Sequence, residues 1–503
     1  MSSPVYLKLI GKNNVKLYFF GLTILYLVLY GWMFTDSYFM MSGDDWAILY
    51  RVSMHLFGTT NILPENFRWI PGPTPHLIGD RQVSWLIFSF FYKVFGLNAN
   101  WYGFLNLSLN FINSLFVYSL SGHILKNKYL QVLAATFFIL IFNNFTTLSG
   151  VVYFIDIVCT FFMLLTALYF FKPGILNRII SYFFFILALR SKEFAIIFPG
   201  VLFFLQFALQ DVKLSFLGKF TKSLLSALPY GLLVILYILI GGLSDPLTNI
   251  VNNLTHVEKL FALESSGRDF EFTYALLIDH LDFYLKLFIG NPHVNLFYAL
   301  LLVTVILALL KDVKTLCLEA TFLLLLMPSV FQKATISYLS YASQPFFSIF
   351  LISMSSSFCS KALLFFKIDD YKKMANNLTA LIVYVLLVSQ YSFFGHVLSY
   401  PRVWDMSFDR KLYSYLIFKY PKLPDNTEVR FYSNNNSDAS NRGSILTNKD
   451  SKHAIQTVYQ NQTIALKIED REYQNSFSES EKLSHPVLHI WRELNGWHST
   501  LVK

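Results

Sequence analysis

Apolar runs close to bilayer length recur along the first 400 residues, separated by short polar linkers. A transmembrane helix needs roughly 20 apolar residues to cross about 30 Å of hydrocarbon. On that measure the chain reads as about eleven spans. They cover 17–35, 101–121, 129–142, 152–171, 179–189, 194–209, 223–242, 294–310, 315–331, 336–358 and 378–395. Lys8, Lys12 and Lys16 precede the first run and no small-residue cleavage site follows it, so it is expected to be an uncleaved helix.

The linkers set an orientation. With the N-terminus inside, the inner linkers carry Lys126 and Lys128, Lys172 and Arg178, and Lys213, Lys219 and Lys222. Further along they carry Lys311 and Lys314, then Lys361, Lys367, Lys372 and Lys373. The short outer linkers hold only Lys333 and the Arg190/Lys192 pair, the bias that the positive-inside rule requires. Residues 179–209 are a 31-residue apolar stretch broken by Arg190-Ser191-Lys192-Glu193. A single tilted helix would bury three charges near mid-bilayer at about 2.5–3.5 kcal/mol each, and would put every later lysine-rich linker outside. Two short helices meeting at the charged tetrad avoid both. The first arm is too short to cross the bilayer, so the apex is expected below the outer surface.

Three larger segments then lie outside: 36–100, 243–293 and the tail from 396 to 503. Ser84–Phe95 is apolar and aromatic but short, as suits a helix lying in the interface. The tail is polar, with candidate strands at Glu428–Tyr432 and Thr463–Ile468. The expected fold is an all-α transmembrane bundle over 1–395 and a small mixed α/β extracytoplasmic domain over 396–503. No tandem repeat is seen, and the abundant Phe and Tyr are mainly lipid-facing or packing residues.

Composition agrees. The 503 residues are 54% hydrophobic and only 14% charged, against about 25% charged in soluble proteins. The formal charge of +9 lies in inter-span linkers rather than on one basic face, so nucleic acid is not a partner. Cys159, Cys317 and Cys359 all lie within or beside apolar runs, which implies neither a disulfide framework nor a cysteine metal site.

Candidate chemistry is concentrated early. Ser42-Gly43-Asp44-Asp45-Trp46 follows the first span by a few residues. Adjacent carboxylates repel unless a cation compensates, and one held near a hydroxyl can act as a general base; equally, such a pair can merely cap a helix. The tetrad at 190–193 is either a tight turn or a cation site, in which Glu193 orients Lys192 or joins an acidic cluster. Asp156 lies inside the outer end of the fourth span, where a carboxylate is costly and usually faces a polar cavity, although a snorkelling helix-end residue fits as well. His55, His76 and Asp80 could line an acceptor side or ligate a divalent metal, but no His/Asp spacing dictates a metal site and no cofactor is implied. The acidic residues of 243–293 are mostly solvated helix faces. Trp46 and Trp69 could stack on sugars or anchor at the interface.

An acidic pair directly after the first span resembles the hallmark of the GT-C superfamily of membrane glycosyltransferases. Gly79-Asp80-Arg81-Gln82-Val83-Ser84-Trp85-Leu86, with Phe95-Gly96-Leu97 and Asn106-Leu107, is similar to the "RPL-x-x-L … FGL … N-L-x-x-H" run of bacterial mannosyltransferase-like members. Ala188-Leu189-Arg190-Ser191-Lys192-Glu193 through Pro199 resembles their "L-S-K-E … P" hairpin. The likeness spans residues 15–210. Gln82 stands where Pro is usual and Asn110 where His is common. The layout also resembles phage-encoded O-antigen glucosyltransferases. The resemblance implies a polyprenyl-phosphate sugar donor (undecaprenyl phosphate in bacteria) and an envelope glycan, lipid or protein acceptor at the outer face of a bacterial inner membrane. It implies inverting transfer with Asp44 or Asp45 as base, and Arg190, Lys192, Arg81 and Arg68 as cations for the departing phosphate. An O-antigen polymerase or ligase would place its key arginines and histidine in later loops. A transporter or flippase would show repeats and helices broken at mid-membrane.

Overall fold

The computed structural model describes residues 12–30, 81–95, 99–149, 153–210, 214–238, 274–289, 295–331, 337–397, 416, 419–432, 465–469, 486–493 and 496–502. A helix lies in each apolar stretch. In chain order they are α1 (Lys12–Tyr30), α2 (Gln82–Phe95), α3 (Ala99–Ile124), α4 (Lys128–Leu140), the short α5 (Asn144–Ser149), α6 (Phe154–Phe170) and α7 (Ile175–Leu189). A 3₁₀ turn (Glu193–Ile197) leads into α8 (Phe198–Leu209), followed by α9 (Phe216–Tyr237), α10 (Tyr274–Ile289), α11 (Leu296–Leu309) and α12 (Val313–Val330). A second 3₁₀ turn (Ser337–Ser343) precedes α13 (Gln344–Phe365) and α14 (Tyr371–Val397).

Among the described residues four segments are long and apolar enough to cross a membrane: Phe216–Tyr237, Val313–Val330, Leu339–Phe365 and Tyr371–Tyr391. Seven more apolar helices among the described residues are shorter. The large exposed side chains are lipid-like: on α9 alone Phe216, Leu225, Leu232 and Ile235 are each more than half exposed. Water would not tolerate such a surface. The chain is an integral membrane protein.

The core lies where α4, α6, α8, α12 and α13 meet, around Phe137, Phe138, Phe198, Phe322 and Phe346. From Gln344 to Ser353 every side chain of α13 is buried, which makes it the central helix. Gly200 lets α8 approach α12 closely; a Cβ there would sit 2.6 Å from a Leu324 methyl carbon.

The charged tetrad is a chain reversal. Ser181 Oγ meets Tyr230 Oη at 2.6 Å and Arg190 lies over the Tyr237 ring, so α7 and α9 run parallel. Phe203 meets Phe220 while Phe207 meets Phe216, so α8 and α9 run antiparallel. Hence α7 and α8 are the two arms of a hairpin, as the lysine pattern requires. Its first arm is longer than the apolar run suggested, beginning at Ile175 after Gly174, whose φ of +99° turns the chain into the helix. At 1.5 Å per residue the arm is still only about 22 Å long.

In the tail, β1 (Glu428–Tyr432), β2 (Ala465–Glu469), β3 (Val487–Glu493) and β4 (Gly496–Val502) form one sheet in the order β2-β1-β3-β4. The central strand β1 pairs in parallel with β2 and β3, and β3 with β4 antiparallel. Two of these strands coincide with the expected ones, the second displaced by a residue or two. The β3–β4 hairpin was not anticipated.

Candidate functional site

The hairpin apex is built from two ion pairs. Asp156 occupies the first turn of α6, where the helix dipole favours a carboxylate. Its Oδ1 accepts from Lys192 Nζ, and each side chain is 3% exposed. One residue on, Glu193 is gripped by Arg81: Nε donates to Oε2 at 3.1 Å and Nη2 to Oε1 at 2.7 Å. This fork is 27% and 28% exposed. Among the described residues two cations and two carboxylates pair here, with Arg190 beside them. Lys192 and Glu193 do not pair with each other, although the sequence offered that arrangement. Lys192 is extended (φ −161°, ψ 144°), and successive side chains on extended backbone point to opposite sides.

The α2 helix is docked on this apex through its orphan donors. The first N–H groups of a helix lack partners within it. Val83 N donates to Arg190 O at 3.1 Å, and Ser84 Oγ to Ser191 O at 3.2 Å. Ser84, Phe88 and Tyr92 face inward, while Leu86, Phe90 and Val94 form an exposed apolar stripe that suits lipid. Arg190 itself is half-buried, with its guanidinium 5.3 Å from the centre of the Tyr237 ring. Lys192 also lies 4.7 Å from the Phe194 ring centre, and Cys159 Sγ approaches the carbonyls of Ala188 and Lys192.

Arg81, Asp156, Arg190, Lys192 and Glu193 are thus brought together. Asp44, Asp45, His55, Arg68, His76 and Asp80 lie outside the described residues. Among the described residues no three His, Cys, Asp or Glu side chains gather as metal ligands would.

A polar seam beside the cluster was not anticipated. Asn110 on α3 donates to Tyr26 Oη at 3.0 Å and accepts from Tyr341 Oη at 2.7 Å. Asn113 donates to Tyr341 Oη at 3.2 Å and to Ile157 O at 3.3 Å, adjoining Asp156. The Oδ1 atom of Asn113 and both amide atoms of Gln344 are buried without a hydrogen-bond partner, the situation in which buried water usually serves. Asn110, standing where the resemblance led one to expect His, is a joint of this seam.

Such a cluster has clear chemical capacities. Burying ions costs several kcal/mol each, which only good pairing offsets. Once paired, the carboxylates hold the cations in fixed orientation. Arg81, at the solvent edge of the cluster, presents a guanidinium already aimed by Glu193, the arrangement that stabilises charge developing on a phosphate or oxyanion.

No protein-family profile matches the chain, and a comparison with curated proteins finds no match. Among solved structures the chain is similar to the one titled crystal structure of ArnT from Cupriavidus metallidurans in the apo state. The identity is 12%, the TM-score 0.45, and the alignment covers 94% of this chain and 93% of that one. So slight a likeness carries no argument about fold or function.

Proposed function

We propose that this protein is a membrane glycosyltransferase of the GT-C type, moving a sugar from a polyprenyl-phosphate donor to an extracytoplasmic acceptor. One observation carries the reading: the charged hairpin apex at 190–193 is ion-paired and hydrogen-bonded to Arg81, Val83 and Ser84. Those three residues belong to the first outer loop, 36–100, which also carries the Asp44-Asp45 pair. The cations at the hairpin apex, tied to that loop through Arg81, and the loop's acid pair are the two halves of a site for inverting transfer. The acceptor hydroxyl attacks the anomeric carbon; its proton passes to Asp44 or Asp45; the bond from the anomeric carbon to the phosphate oxygen breaks; and the lipid phosphate leaves. Arg81 and Arg190 face the departing phosphate, joined by Arg68 from the loop. Lys192 takes a different part from the one its charge first suggests: buried against Asp156, it fixes the apex and adds positive potential from below.

The donor is a lipid, because nucleotide sugars are confined to the cytoplasm while this site faces outward. A cell-envelope glycan such as O-antigen is the acceptor class that suits an outward site in a bacterial inner membrane, and a hexose is the sugar class. The test is sugar transfer from polyprenyl-phosphate sugar in membranes containing Asp44→Asn or Asp45→Asn protein at wild-type abundance. Loss of transfer in at least one variant is expected; full transfer in both removes the proposed base. Mass spectrometry of envelope glycans with and without the protein then names the sugar and the acceptor.

A further inference from the structure

A second charged feature lies at the opposite end of the hairpin. Between the N-terminal halves of α7 and α9 is a groove of about 740 Å³ whose lining includes Arg178 and Lys222. Arg190 stands twelve positions beyond Arg178, about 18 Å along the helix, so this groove is distinct from the apex cluster. Ser215, Thr221, Ser226 and Tyr182 add hydroxyls to its wall, and among the described residues no carboxylate lines it.

Arg178 is held in place. Its guanidinium carbon stacks 4.5 Å from the Phe170 ring centre, while its Nη1 is buried without a hydrogen-bond partner. The guanidinium has the Tyr230 hydroxyl beside it but, among the described residues, no carboxylate in the groove lining to balance its charge, and an anion entering the groove would supply that balance. The N-terminus of α9 adds the positive end of a helix dipole. The rim is of the opposite character. Leu217 and Leu225 line the groove and are 71% and 62% exposed. A basic polar floor with an apolar rim, in a membrane protein, matches a molecule with an anionic head and hydrocarbon chains. A soluble anion has no use for such a rim.

We infer that the groove between α7 and α9 binds a diacyl phospholipid of net negative headgroup, with its phosphate on Arg178 and Lys222 and its chains along Leu217 and Leu225. By the lysine pattern of the linkers this lipid belongs to the cytoplasmic leaflet. Bound there, it ties the first arm of the hairpin to α9 and so steadies the apex from below.

The test uses the full chain in detergent, followed by native mass spectrometry and thermal unfolding with added phosphatidylglycerol, phosphatidylethanolamine, undecaprenyl phosphate or inorganic phosphate. Phosphatidylglycerol is expected to be retained and to raise the melting temperature. Retention should fall at least tenfold in Lys222→Glu, a substitution at an exposed position that leaves folding intact, and in Arg178→Gln, while Arg178→Lys keeps most of it. Equal retention of phosphatidylethanolamine overturns the charge assignment. Protection by inorganic phosphate alone makes this a soluble-anion site, and displacement of phosphatidylglycerol by equimolar undecaprenyl phosphate overturns the diacyl assignment. Undiminished retention in Lys222→Glu and Arg178→Gln removes the site.

Discussion

The two ion pairs of the hairpin apex are one residue apart in sequence and differ about ninefold in exposure. Lys192–Asp156 is 3% exposed on both sides, and Arg81–Glu193 is 27% and 28% exposed. The same chemistry serves two ends. A pair sealed among helices is a structural commitment, because removing either member strands a charge. A pair at the edge is weak as a brace, since solvent screens it, but its cation can meet a ligand. The proposed enzyme needs both: a fixed apex, and a guanidinium that reaches the donor phosphate.

The comparison breaks most sharply at the buried pair. Asp156→Asn strands Lys192 and is expected to destabilise the protein by about 3–5 kcal/mol, read as a lowered melting temperature in detergent. The double variant Asp156→Leu/Lys192→Met should recover most of that stability. If it also recovers sugar transfer, the buried pair is purely structural.

The exposed pair should show the reverse balance. Arg81→Ala is expected to reduce transfer by about 10²–10³-fold, the usual effect of removing one donor to developing charge. Its stability loss should stay at or below about 1 kcal/mol. Arg81→Lys, which keeps the charge but not the fork, should fall between wild type and alanine in kcat. A stability loss as large as that of Asp156→Asn would erase the distinction between the two pairs.

The seam gives a smaller effect. Asn110→Leu leaves the hydroxyls of Tyr26 and Tyr341 without Asn110 and should cost about 1–3 kcal/mol of stability. Smaller again is Ser84→Ala, which removes one hydrogen bond from the α2 docking site, about 0.5–1.5 kcal/mol.

How much of this was legible in the sequence depends on range. The helices of the eleven apolar runs were legible because each run carries its own signal, and the reversal at 190–193 because three charges cannot sit cheaply within one span. Helix α10 was not, because His280, Asp282 and Lys286 interrupt its apolar pattern and hid a helix whose Tyr284, Leu285 and Phe288 are buried. The ion-pair partners were not. Lys192 has Glu193 beside it, yet its partner Asp156 lies 36 residues away, and only the extended backbone at Lys192 decides between them. The seam was half legible: Asn106, Asn110 and Asn113 recur at i, i+4 and i+7, one face of α3. Their partners, 84 and 231 residues distant, leave no local trace. In the tail, β3 and β4 escaped notice because His489, Arg492 and His498 interrupt the apolar alternation that marks a strand.

The proposed transfer requires the Asp44-Asp45 pair and the hairpin apex to face one cavity on one side of the membrane. Cysteine pairs measure this directly, with half-buried Cys359 replaced by alanine. Treated in native membranes with a short bis-maleimide, Asp45→Cys/Arg190→Cys is predicted to cross-link within the chain, and Asp45→Cys/Lys222→Cys is not. Cross-linking of position 45 to position 222, or labelling of positions 45 and 190 only from opposite faces of the membrane, would contradict it.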